Sequence, residues 1–173
     1  LVGMNNQPTV NIENIGPVKF LKHNQFVILE SEEFSSLTLF FTPINATLNY
    51  LENNYSFSEF HMVGISGGGW TSTVYPALDT RISKSFSVAG SLPLSLRNIS
   101  DDVGDYEQFY PQLYSISNYF EIYALSSIGN DRAFYQIFNK NDPCCFAGNT
   151  YKIYHEPLKK FVSQFDSGNF DKP

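Results

Sequence analysis

The segment Gly64-Ile65-Ser66-Gly67-Gly68-Gly69 constrains this chain more than any other. It stands between the apolar run Phe60-His61-Met62-Val63-Gly64-Ile65 and a pattern with Trp70, Val74 and Leu78 at four-residue steps. The run is short, apolar and bounded by turn signals, which predicts a strand buried on both faces of a parallel sheet. The four-residue steps predict a helix that exits near Asp79. Glycines on both sides of Ser66 let the chain turn sharply from one into the other.

The rest of the chain repeats this alternation. Leu37, Phe40, Phe41, Ile44, Leu48 and Leu51 form a helical stripe that Pro43 shifts or kinks. Residues Ser85 to Leu92 read as a second strand, and Ala133 to Phe138 as another, closing at Asn139-Lys140-Asn141-Asp142-Pro143. Tyr119 to Ile128 fits a helix or a strand. Tyr154, Leu158, Phe161, Val162 and Phe165 form a last helical stripe, with Pro157 in its first turn and Gly168 past its end. Alternation of this kind predicts an α/β fold with a mostly parallel sheet flanked by helices. No repeat, low-complexity tract or charged linker divides residues 1–173, so a single domain is expected.

Composition excludes several function classes. The formal charge of −6 comes with scattered Lys and Arg, which argues against nucleic acid as a partner. No window reaches the roughly 18 uninterrupted apolar residues that a membrane span needs. Phe and Tyr supply 16 and 11 residues, and those between Tyr106 and Tyr123 read as core in preference to a lid over a site. Cys144 and Cys145 are neighbours, with Cα atoms expected about 3.8 Å apart, below the usual disulfide range, so they read as two small buried hydrophobes. They lack the partners of a zinc site, and no metal or organic cofactor is implied. Sequons at Asn45, Asn54 and Asn98 are close to chance and do not establish secretion.

Gly64-x-Ser66-x-Gly68 between a strand and a helix is the setting of a nucleophile elbow. There, a strained backbone lifts the Ser66 hydroxyl clear of the sheet, and the Gly67 amide at the helix N-terminus faces a developing oxyanion. The alternative is a glycine-rich turn whose Gly67 to Gly69 amides cradle an anion. A P-loop is excluded, because no Lys-Ser/Thr follows the glycines.

On these residues, and on Ala77-Leu78-Asp79-Thr80-Arg81-Ile82 and Val88-Ala89-Gly90-Ser91 after them, the chain resembles the α/β-hydrolase superfamily. It is most similar to the serine-esterase branch with dienelactone hydrolases and prolyl oligopeptidases. The resemblance implies a partial α/β-hydrolase fold and hydrolysis of a small-molecule ester or related acyl bond through an acyl-enzyme on Ser66. It also implies a triad in the order Ser, acid, His. A triad acid follows a strand in such a sheet, which favours Asp142 over Asp131.

The base departs from the family. His61 lies inside the strand before the elbow, His23 lies far upstream, and His155 follows Asp142 too closely and opens a helix. No His-Gly pair supplies a second oxyanion donor. Leu1 to Pro8 looks like a loop after an earlier strand and Phe170-Asp171 like the start of a last one, so the chain reads as an internal fragment whose base lies outside it. A non-catalytic binding module on the same fold is the rival reading.

Overall fold

Six strands and five α-helices, linked in places by 3-10 turns, make up the described residues 7–97, 103–165 and 168–171 of the computed structural model. Contacts within the chain gather into two compact units, the first spanning residues 1–55 with 104–110 and the second 56–103 with 111–173.

In the first unit, β1 (Thr9–Ile12) and β2 (Gly16–Lys19) form an antiparallel hairpin in which Val10 faces Val18. Asn14 takes a φ of 63° in its turn, a conformation Asn tolerates because its side chain substitutes for backbone contacts. A 3-10 turn (His23–Leu29) and helix α1 (Thr38–Asn54) follow, and α1 continues through Pro43. Phe20, Phe26, Leu37, Phe40 and Leu48 are buried, with the Phe26 and Phe40 rings edge to face at 5.8 Å.

The first unit also holds a buried acid. Glu107, in a 3-10 turn (Tyr106–Gln108), has a fully buried side chain, and its two carboxylate oxygens lie 3.0 and 3.2 Å from His23 Nδ1. Asp105 adds a third oxygen at 3.5 Å. A buried carboxylate needs such a partner, since desolvating an unpaired charge costs several kcal/mol. The ligand atoms of the three residues lie within 4.8 Å of one another, an approach that the His23–Glu107 hydrogen bond itself accounts for.

The second unit is built on a four-stranded sheet in the order β3 (Phe60–Ile65), β4 (Ile82–Val88), β5 (Ala133–Ile137) and β6 (Asn169–Asp171), with every pair parallel. Helices α2 (Gly67–Leu78), α4 (Tyr119–Ser127) and α5 (His155–Val162) pack on it, while α3 (Pro111–Ile116) is a short turn before α4. Trp70, Val74, Tyr123, Phe134, Leu158 and Phe170 form the buried layer, so the aromatic residues at 119 and 123 are core. The sequence left Tyr119 to Ile128 open. A capping box decides it, with Asn118 Oδ1 accepting from the Phe120 and Glu121 amides and Glu121 accepting from the Asn118 amide.

Three sequence expectations are corrected here. The second strand is Ile82–Val88, not Ser85 to Leu92, because Ala89 turns to a φ of 46° and Gly90 follows against the helix. Strand β3 is not buried on both faces. Among the described residues it lies at the edge of the sheet, with Val63 and Ile65 73% and 70% exposed, and an apolar run does not reveal whether its outer face is covered. Cys144 and Cys145 are neither buried nor separate: they are joined in a disulfide whose Cα atoms stand 3.7 Å apart. The usual Cα window describes cysteines brought together by the fold, whereas neighbours close a small ring through their shared peptide.

Arg132, 6% exposed, ties the amino edge of this unit together. Its guanidinium donates to the carbonyls of Pro76 in α2, of Leu125 and Ile128 at the end of α4, and of Ile82 at the start of β4. The Pro76, Leu125 and Ile128 carbonyls lie at helix ends, where backbone acceptors are unpaired and a cation is favoured. Only a planar fork with five donors reaches so many acceptors at once.

Two measurements test this account. Arg132→Lys is expected to destabilise by about 2 kcal/mol or more in urea unfolding, since buried carbonyls lose their donor. The His23 pKa is raised above 6.5, chiefly by the Glu107 hydrogen bond and against desolvation. A raised folded pKa contributes stability below the unfolded value and loses it as pH rises through the folded one. The stability gap between wild type and His23→Gln is therefore expected to shrink as the pH rises above about 6.5.

Candidate active site

At the carboxyl end of β3 the chain turns into α2 through Ser66, whose φ and ψ are 56° and −121°. This is sparsely populated backbone for a residue with a Cβ, and it persists only where the surroundings determine it. Three contacts do so. The Ser66 amide donates to Val88 O at 2.9 Å, Trp70 N donates to Ser66 O at 2.9 Å, and Gly64 lies so close to the helix that a Cβ there would sit 2.0 Å from Gly68 O.

The helix approaches the sheet through glycine. A Cβ on Gly69 would fall 2.7 Å from both Gly90 Cα and Val88 O, and one on Gly90 would fall 2.2 Å from the Gly69 carbonyl carbon. Gly69 O accepts from the hydroxyls of Ser87 and Thr73, both at 2.9 Å. Gly67 and Gly68 have open space at their Cβ positions, so contact explains the flanking glycines and not these two. The amides of Gly67, Gly68 and Gly69 open α2 and have no carbonyl four residues back within it. Ser66 and Gly68 are exposed.

Asp142 lies in the loop beyond β5. Ile65, Val88 and Ile137 end three parallel strands in register, so Ser66 and the Asp142 loop leave the sheet at the same edge. The strands that carry them are two spacings apart, about 10 Å. Asp142 Oδ1 accepts from the amides of Cys144 and Cys145, each at 2.9 Å. Those two amides hold its carboxyl below the ordinary aspartate range. Both bonds fall on one oxygen, and among the described residues Oδ2 has no hydrogen-bond partner. Asp131, with a φ of 57°, precedes β5 and so lies at the opposite edge.

Each histidine is engaged elsewhere. His23 meets Glu107, His61 Nε2 lies 2.8 Å from Glu59, and His155 Nδ1 lies 3.1 Å from Glu156 with its ring against Tyr151 and Phe170. Among the described residues, neither His61 nor His155 is hydrogen-bonded to Ser66 or Asp142. The most strongly lowered carboxyl is Asp79, brought to about 2 chiefly by hydrogen bonds from Arg81, and it caps the far end of α2. Sequence reasoning gave it no role, and Asp79-Thr80-Arg81 holds a helix exit.

An apolar groove of about 480 Å³ lies between α4 and α5, lined by Phe120, Ile153, Pro157, Leu158 and Phe161. Neither Ser66 nor Asp142 lines it. Among the described residues no helix is long and apolar enough to cross a membrane.

No protein-family model matches the chain, and no curated protein matches it. Among solved structures the chain is similar to Est1E from Butyrivibrio proteoclasticus, with a TM-score of 0.44 and 11% sequence identity over 75% of this chain. It spans 57% of that structure's length.

The backbone at Ser66 gives a direct test. Glycine adopts these angles without a Cβ penalty, so Ser66→Gly is expected to stabilise the chain by about 1 kcal/mol in urea unfolding, and Ser66→Ala to leave stability nearly unchanged.

Proposed function

We propose that this protein is a serine hydrolase of α/β-hydrolase type that cleaves an ester or related acyl bond through an acyl-enzyme on Ser66. The observation that carries the reading is the Ser66 backbone, held in a sparsely populated conformation between a parallel strand and a helix N-terminus. Strain at an exposed hydroxyl, beside amides with no acceptor in their helix, is what presenting a nucleophile to an acyl carbon requires.

In this reading the Ser66 oxygen attacks the acyl carbon while its proton passes to a base. The carbonyl oxygen takes up negative charge beside the Gly67 amide, the bond to the leaving alcohol breaks, and the base returns the proton to that alcohol. Water then releases the acid by the same steps reversed in role. Asp142 acts through the base. Its Oδ1 is anchored by two amides, and Oδ2 is the oxygen that would accept from an imidazole and hold the tautomer. His61 and His155 make no hydrogen bond to Ser66 or Asp142 among the described residues, and the reading assigns the base to none of the chain's histidines. No metal and no organic cofactor takes part in it.

Labelling with a fluorophosphonate probe, followed by peptide mapping, tests the nucleophile. Modification is expected at Ser66, absent in Ser66→Ala. Because the reading assigns the base to none of the chain's histidines, added imidazole is expected to accelerate labelling, and less so in Asp142→Asn. Labelling that His155→Ala abolishes would instead make His155 the base. An unlabelled Ser66 together with phosphate binding would favour the Gly67–Gly69 amides as an anion nest.

A further inference from the structure

The loop that carries Asp142 also carries the disulfide, and the two are one hydrogen-bonded unit. Among the described residues, Asp142 Oδ1 is held by the amides of Cys144 and Cys145 alone, the same two residues whose sulfurs are joined. The unit is anchored at both ends. Upstream, the Asp142 amide donates to Asn139 O and the Asn141 amide to Asn139 Oδ1. Downstream, Phe146 is buried with a φ of 60°, and the Arg97 guanidinium lies 4.7 Å from its ring centroid. Between these anchors, the disulfide closes a ring around the peptide that joins the two residues whose amides meet Oδ1. Cys144 is exposed and Cys145 half-buried, so the bond is open to attack from solvent.

We propose that Cys144–Cys145 is a redox site that governs the Asp142 carboxylate by thiol–disulfide exchange with a dithiol reductant. One thiolate of the reductant attacks a ring sulfur, the ring bond breaks and a mixed disulfide forms. The reductant's second thiol then displaces the protein sulfur. Two electrons pass to the protein, the reductant closes its own disulfide, and the two protons end on the Cys144 and Cys145 thiols. The opened pair no longer restrains the intervening peptide, the two amides leave Oδ1 for part of the time, and the carboxylate loses its fixed orientation. The consequence for catalysis rests on Asp142 being the acid of the proposed hydrolase. The effect on the carboxylate does not.

The test reads the carboxylate directly. In the 173-residue chain, maleimide labelling should add no adduct before reduction and two afterwards. NMR titration of the Asp142 side-chain carbon should then show its midpoint move upward, towards the ordinary carboxylate value, when the pair is reduced. Amide exchange at Cys144 and Cys145 should quicken roughly tenfold as their hydrogen bonds open. Cys144→Ala/Cys145→Ala should resemble the reduced wild type and ignore the reductant, while the titration of Asp79 should stay where it is in every state. An unchanged Asp142 midpoint and unchanged amide exchange after two adducts would overturn the proposal, as would two adducts in the chain before any reductant. Fluorophosphonate labelling of Ser66 in both states separates this result from the hydrolase reading. A shifted Asp142 with an unlabelled Ser66 sinks the hydrolase alone, whereas a labelled Ser66 with an unmoved Asp142 sinks the redox site alone.

Discussion

The close approach of α2 to the sheet is the constraint on which the second unit depends. Gly64 against Gly68, and Gly69 against Val88 and Gly90, bring helix backbone onto β3 and the end of β4 with no side chain between them. A methyl group at Gly64, Gly69 or Gly90 would overlap backbone atoms, which a packed interior has no room to absorb. That contact places the first turn of α2 directly at the end of β3, and the chain enters it through the backbone conformation seen at Ser66. The strain at the candidate nucleophile and the packing of the core therefore have one cause. The buried hydroxyls of Ser72, Thr73 and Ser87 bond into the same seam, satisfying polar groups that the close approach would otherwise strand.

The two edges of the sheet differ in what holds them. At the amino edge, Arg132 gathers carbonyls from α2, α4 and β4, and Asp79 with Arg81 closes the exit of α2. At the carboxyl edge the chain leaves the strands in loops, and the groups that line them are held by backbone amides: Ser66 by its own strained turn, Asp142 by Cys144 and Cys145. Open parallel sheets place ligand sites outside the carboxyl ends of their strands, the edge that is built of loops here.

Much of the second unit was legible in the residues. Phe60 to Ile65, the helix from Trp70 and the strand from Ala133 follow from apolar periodicity, because burial on a sheet or a helix face imposes that period. Tyr119 to Ser127 was open, since its apolar residues fit either period, and the decisive signal was the Asn118–Glu121 capping box at its start. The hairpin Thr9–Lys19 and the His23–Glu107 pair were not legible. Short polar strands carry little alternation, and nothing local announces that a histidine will meet an acid 84 positions later.

By itself the sequence determined the alternation of helix and strand, the sharp serine turn and the order in which candidate residues occur, because each is set by neighbours within a few positions. Only the tertiary structure decided which carboxylate shares the edge with Ser66, that β3 lies at an edge with Val63 and Ile65 uncovered, and that both hydrogen bonds to Asp142 come from the disulfide-bonded pair. Those properties depend on strand order, register and the path of a loop, and they arise from contacts between segments far apart in the chain or from loop backbone angles that residue type leaves open.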